Sequence, residues 1–208
     1  MDAPALPFSL PLIAILRGIT PDDVPAHVAA LVEEGYDAIE IPANSPDWEH
    51  SVRIAVDAFG QRAMIGAGTV LTAAQMEKVK QVGGRFAGSP GATPRLYAAA
   101  RDTDLPFLPG VATSSELMHG LEQGLDTFKF FPAVQAGGAP LLAAWAGPFA
   151  DVRFCPTGGI SVQTAPQFLH LPNVLCVGGS WLTTAALLQS RDWAAIEELA
   201  RQASVLAS

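Results

Sequence analysis

Charge is scarce in this chain. Charged residues make up 15% of 208 positions, while the apolar set reaches 50%, which excludes a disordered, self-repelling polypeptide. Lysine is rarer still: Lys78, Lys80 and Lys129 are the only three. With a net charge of −8 there is no basic footprint of the kind a nucleic-acid partner demands. A small anionic ligand remains compatible, because one local pocket can be positive on an acidic protein. The two cysteines, Cys155 and Cys176, form neither a disulfide framework nor a paired metal motif. Each sits in an apolar run and reads as a small core residue. His27, His50, His119 and His170 make no H-x-x-x-H or other ligand spacing, so no metal is expected. No run approaches ~18 apolar residues, and no basic N-terminal region leads into a signal core. The expectation is a soluble, cytoplasmic protein with no membrane partner.

What the chain does have is rhythm. Eight apolar runs stand at residues 11–18, 38–43, 63–70, 85–91, 106–113, 127–133, 153–159 and 174–180. Amphipathic segments with helix signals lie between them. Thr20-Pro21-Asp22-Asp23 offers an N-cap, a first-turn proline and first-turn acids, and Gly35 a terminator. Thr72 and Ser114 are candidate caps further on, and Glu77, Lys78 and Lys80 supply a solvated helix face. The spacing averages roughly one βα unit of 25 residues, and strands alternating with helices imply a parallel sheet. Eight units point to a (β/α)8 TIM barrel rather than an open doubly wound sheet. No linker divides the chain, so one α/β domain is expected over residues 1–208, with residues 1–9 a short leader and a last helical region from Trp181 onward.

Alternation of side chains along a strand locates the charges. In Ile39-Glu40-Ile41 and Phe128-Lys129-Phe130 the apolar pair takes the helix-covered face, so Glu40 and Lys129 point inward. Arg17 shares a face with Ile13 and Ile15 and is expected to join them. Buried charges are costly unless paired or used. The bland reading is an ion pair that locks the barrel. The functional reading notes that all three lie toward C-terminal strand ends, where such barrels carry active sites. Lys129 is also far from the other two lysines, which share one helix. An amine in a poorly hydrated site keeps some free base near neutrality. It can attack a ketone and form a Schiff base. The protonated imine is an electron sink for breaking a carbon–carbon bond. Glu40 is then the candidate proton carrier, and Arg17 a candidate bidentate grip on a substrate carboxylate.

Thr157-Gly158-Gly159 and Gly178-Gly179-Ser180 follow the seventh and eighth runs. Either they are plain strand-ending turns, or their backbone N–H groups cradle a phosphate, as loops at those barrel positions frequently do. Two such pairs one βα unit apart favour the phosphate. Gly66-Ala67-Gly68-Thr69 fails as a dinucleotide fingerprint, because Leu71 stands where a third small residue belongs. Its glycines are expected to let a ligand approach the backbone, with Thr69 as a hydrogen-bond donor. Ser89-Pro90-Gly91 and Pro109-Gly110 read as turns. The four tryptophans, Trp48, Trp145, Trp181 and Trp193, read as packing or subunit-contact residues.

Taken together, G-A-G-T-V (66–70), F-K-F-F-P-A (128–133), R-F-C-P-T-G-G-I (153–160) and V-G-G-S-W (177–181) make the chain resemble the class I 2-keto-3-deoxy-6-phosphogluconate and 2-keto-3-deoxy-6-phosphogalactonate aldolases. The likeness runs from about Leu10 to Trp181. It implies a TIM barrel, usually a homotrimer, with no metal or cofactor. It implies Lys129 as the Schiff-base lysine and Glu40 as general acid/base through a water. Pyruvate contacts would come from Arg17 and Thr69, and phosphate contacts from Gly158, Gly159, Gly179 and Ser180. The implied substrate is a phosphorylated keto-acid, cleaved to pyruvate and glyceraldehyde 3-phosphate. The first third, with E-I-P-A-N-S-P and Asn44 in place of an arginine, is similar to the galactonate type. The second half is similar to the gluconate type, where the residue matching Thr157 contacts the C4 hydroxyl. Gluconate is favoured slightly, with activity on both. Alternatives are an aldolase for unphosphorylated 4-hydroxy-2-oxoglutarate, a metal-independent phospho-sugar isomerase or epimerase, and an inactive sugar-phosphate binder.

Overall fold

A computed structural model describes residues 11–204, so the expected leader at residues 1–9 lies outside the described residues. Strands and helices alternate: β1 (Leu12–Ile15), α1 (Val24–Glu33), β2 (Ala38–Pro42), α2 (Trp48–Phe59), β3 (Met64–Gly68), α3 (Ala73–Gln81), β4 (Ala87–Gly88), α4 (Pro94–Thr103), β5 (Phe107–Leu108), β6 (Gly110–Val111), α5 (Ser114–Glu122), β7 (Thr127–Phe130), α6 (Gly138–Trp145), β8 (Arg153–Pro156), α7 (Ala165–Leu169), β9 (Val177–Gly179), a 3-10 turn (Trp181–Thr183), α8 (Ala185–Ser190) and α9 (Trp193–Ser204). Each of the eight apolar runs yields a strand, and the fifth yields two.

All pairings between these strands are parallel. They form a six-stranded sheet ordered β5-β4-β3-β2-β1-β9 and a three-stranded sheet ordered β6-β7-β8. The fold is α/β with a curled parallel sheet in two segments, which meet at two seams. At the first, Pro109 interrupts the fifth run: β5 pairs with β4, and β6 with β7. Proline has no N–H to continue a ladder, but its carbonyl still accepts from the Lys129 N–H at 2.9 Å. At the second seam, isolated parallel bridges link Phe154 to Val174 and Thr157 to Gly178.

Side-chain alternation divides the buried residues into two clusters. On the outer face, Ile39, Ile41, Ile65, Phe128 and Phe130 pack under the helices. Phe128, Phe130 and Phe154 have no exposed surface, and each such burial contributes about 2–3 kcal/mol. The Trp145 ring stands edge-on to Phe130 and is tilted against Phe154, both at 5.6 Å. On the inner face, Ile13, Ala38, Met64, Phe86, Leu108 and Cys155 belong to a separate apolar cluster. Cys155 and Cys176 are buried and free, as read from the sequence.

Helix starts follow local chemistry, with two corrections. Thr72 caps α3 through a capping box with Gln75. In α5 the cap is Thr113, paired in a box with Glu116, and Ser114 is already the first helical residue. At α1, Thr20 does not cap: its hydroxyl donates to Asp23 at 2.8 Å, and the helix begins only at Val24. Residues 21–23 form a turn in which the Thr20 carbonyl accepts from the Asp23 and Val24 N–H groups. Gly35 follows the end of α1 at φ +87°, as expected of a terminator. Among the described residues, no helix is long and apolar enough to cross a membrane.

Candidate active site

β2 sets Glu40 on the inner face, one alternation above Ala38, and β7 sets Lys129 on the same face of the other sheet segment. Both side chains are buried, 3% and 6% exposed, and the Lys129 Nζ lies 3.4 Å from Oε1 and 3.5 Å from Oε2 of Glu40. A tight charge-assisted bond is about 2.7–2.9 Å. The two form a buried ion pair whose hydrogen bonds to both carboxylate oxygens are longer than that. The Phe131 ring, next on the same side of the chain, lies 5.7 Å from Nζ. A buried amine, a carboxylate beside it and an aromatic wall are a setting in which an imine can form.

Arg17 does not join them. β1 ends at Ile15, so strand alternation stops there, and Arg17 lies in the following turn with its side chain exposed. The turn itself is anchored. The Arg17 N–H donates to the Ile15 carbonyl at 3.1 Å, and the Thr183 hydroxyl donates to that same carbonyl. The Gly18 N–H donates to Oγ of the buried Ser45 at 3.2 Å. Arg17 thus stands at the rim, at the C-terminal end of its strand.

Thr69 follows β3 at φ +55°. A β-branched residue in the left-handed region is strained, and such strain collects at functional positions. Thr157, buried at the end of β8, directs Oγ1 toward the Cys155 carbonyl at 3.4 Å. Gly158 and Gly159 follow at φ +101° and +74°, a conformation that needs glycine. Ser180 opens the 3-10 turn after β9. These positions all lie just past C-terminal strand ends, whereas Glu40 and Lys129 lie within β2 and β7.

The glycines of the third run have a different job from the one expected. A methyl group on Gly66 would sit 2.4 Å from the Phe86 ring, and one on Gly68 would sit 1.8 Å from Oε1 of Glu40. The protein's own side chains, not a ligand, fill the space these residues leave. Gly178 leaves room for Thr157 in the same way, at 2.2 Å from its Oγ1, and Gly179 for the Trp181 ring. Sequence reasoning missed Phe131, Ser45 and these steric pairings. Phe131 was available from the alternation that found Lys129. The pairings depend on neighbours far away in sequence and left no local signal. Among the described residues, no group of three or more His, Cys, Asp or Glu side chains is gathered to hold a metal.

Comparison with known proteins bears on the chain as a whole. The family described as KDPG and KHG aldolase matches residues 8–199. The KHG/KDPG aldolase of Escherichia coli K12 is 45% identical over 174 residues, 84% of this chain and 81% of that protein. The 2-dehydro-3-deoxy-6-phosphogalactonate aldolase of the same organism is 39% identical over 160 residues, 77% of this chain and 78% of that protein. Among solved structures, the KDPG aldolase of Legionella pneumophila, with pyruvate captured as a covalent carbinolamine intermediate, superposes with a TM-score of 0.91. It is 40% identical, and the match covers 94% of this chain and 95% of that one. The chain belongs to the KDPG and KHG aldolase family.

Proposed function

We propose that this chain is a class I aldolase that cleaves 2-keto-3-deoxy-6-phosphogluconate, and to a lesser degree its C4 epimer, to pyruvate and glyceraldehyde 3-phosphate. The carrying observation is the buried Lys129–Glu40 pair at 3.4 Å. Lys129 Nζ adds to the C2 ketone, giving a carbinolamine that loses water to become a protonated imine. The C4 hydroxyl gives up its proton to Glu40 through a water, and the C3–C4 bond breaks. Its electrons move into the iminium, leaving an enamine and the free aldehyde. Protonation of the enamine at C3 and addition of water release pyruvate and restore the lysine. Thr69 holds the carboxylate end, with the exposed Arg17 reaching in from the rim. Gly158, Gly159, Gly179 and Ser180 hold the phosphate through backbone N–H groups and a hydroxyl. Thr157 contacts the C4 hydroxyl. A single hydrogen bond separates the epimers by a few kcal/mol at most, and the higher identity to a relative named for KDPG favours gluconate.

The wider setting belongs to the same proposal. The two sheet segments close into a single (β/α)8 barrel domain, supported by the bridges at the second seam and the separate inner cluster. The working form is a homotrimer in the cytoplasm, as the family likeness implies. Buried free thiols suit a reducing compartment. Light scattering at three times the 21.7 kDa chain mass checks the trimer.

Pyruvate with borohydride tests the chemistry: a covalent adduct at Lys129 is expected, and an adduct elsewhere, or none, defeats the mechanism. A second reading, cleavage of unphosphorylated 4-hydroxy-2-oxoglutarate, is favoured by the relative named KHG/KDPG aldolase. Equal kcat/KM on phosphorylated and unphosphorylated substrates would select it.

A further inference from the structure

The Glu40 carboxylate lies across the backbones of the next two strands. A methyl group built on Gly68 of β3 would stand 1.8 Å from Oε1, 2.2 Å from Cδ and 2.6 Å from Cγ of Glu40. One built on Gly88 of β4 would stand 2.9 Å from Oε2. Neither glycine has a positive φ, so backbone freedom does not explain them. What the site uses is the missing side chain. Gly66 differs: its space is taken by the Phe86 ring and the Phe86 carbonyl at 2.5 Å, a matter of packing alone.

We propose that Gly68 and Gly88 are positioning residues, a two-glycine slot that holds the Glu40 carboxylate flat against β3 and β4 and so fixes its distance to Lys129. This rests on the Schiff-base reading above and adds to it the elements that aim the proton carrier. The register supports it: Glu40 pairs with Gly66, and Pro42 with Gly68. The side chain therefore leans two residues toward the C-terminal end, away from Gly66, whose space Phe86 takes, and over Gly68. The three atoms nearest a methyl at Gly68 all belong to Glu40, the far end of a flexible side chain, so the fold can absorb the substitution. The carboxylate cannot. It must move by at least about 1 Å to relieve a 1.8 Å approach, a misplacement that costs on the order of 100-fold in rate. At Gly88 the approach is 2.9 Å, and a shift of a few tenths of an ångström meets it, so the loss is smaller.

The test compares Gly68→Ala, Gly88→Ala and the wild type in three assays: deuterium exchange at the pyruvate methyl, borohydride trapping of pyruvate, and thermal unfolding. Gly68→Ala is expected to lose about 100-fold in exchange and kcat, with trapping at Lys129 retained, KM little changed and Tm within a few degrees of wild type. Gly88→Ala is expected to follow the same pattern with a loss of about tenfold or less. In a Glu40→Asp background, whose carboxylate is withdrawn from the slot by one methylene, Gly68→Ala should cost little further exchange. An equal cost in both backgrounds overturns the proposal, as does wild-type exchange in Gly68→Ala. If Gly68→Ala does not fold, Gly88→Ala with the same Asp background decides alone. Failure to trap pyruvate in the wild type overturns the Schiff-base reading and the slot with it, whereas trapping with unchanged exchange in the variants overturns only the slot.

Discussion

At the scale of single residues, the two charges on the inner face separate by role. Lys129→Ala removes the proposed nucleophile and is expected to abolish turnover while leaving circular dichroism unchanged. Glu40→Gln keeps the shape but cannot take a proton, so exchange at the pyruvate methyl should slow by about 100- to 10,000-fold while borohydride still traps some imine. Thr69 presents the opposite balance. Its φ of +55° stores strain of about 1–3 kcal/mol. Thr69→Gly should relieve it, net of the greater freedom glycine gives the unfolded chain. The expected gain is about 1 kcal/mol in urea unfolding, with a raised KM for pyruvate because the hydroxyl is gone. Glu40 and Lys129 were legible because each lies well inside a strand, where alternate side chains must face alternate ways. Arg17 was misplaced because that rule fails where the strand stops, two residues earlier at Ile15. The tenancy of Gly68 by Glu40 was illegible, since the partners come from separate strands and meet only through the sheet register.

At the scale of elements, the alternation of runs and amphipathic segments predicted the strands well, because fully buried parallel strands are short apolar runs by necessity. Helix starts were less legible: Thr113 and Ser114 are both capping types, and only backbone geometry distinguishes them. The Thr113 hydroxyl accepts from the Glu116 N–H, and Glu116 returns the bond to the Thr113 N–H at 2.9 Å. Thr113→Ala should therefore cost about 1 kcal/mol of stability. Ser114→Ala, at an exposed first-turn position, should stay within about 0.5 kcal/mol of wild type. Chemical denaturation of both variants checks the assignment. The split of the fifth run at Pro109 follows from the missing N–H. That its two halves serve different sheet segments could be known only once β4 and β7 were in place.

At the scale of the whole molecule, the last helix returns to the first. α9 packs on α1, with the Trp193 ring edge-on to His27 at 5.8 Å and the Tyr36 hydroxyl donating to the Ala200 carbonyl at 3.0 Å. His27 is fully buried there. Burial lowers its pKa from 6.5 to about 4, with Asp23 pulling the other way. Below pH 6.5 the unfolded chain takes up a proton that the folded chain refuses. The stability difference is fully present above pH 6.5 and is lost as pH falls toward 4. The loss is about 2 kcal/mol at pH 5 and about 3 kcal/mol at pH 4. Urea unfolding of wild type and His27→Leu at pH 7 and pH 5 isolates it: the wild type should lose about 2 kcal/mol more than the variant. A buried imidazole on α1 was not visible from the sequence, because the face of that helix is defined by a segment arriving some 160 residues later.

Glu40 and Lys129 belong to different sheet segments, so no contiguous stretch of chain carries a working centre. During refolding from denaturant, catalytic competence cannot precede the docking of one segment onto the other, however early the helices form. Stopped-flow recovery of far-ultraviolet signal should therefore lead recovery of turnover. The enzyme's own reaction then serves as a clock for its last long-range assembly step.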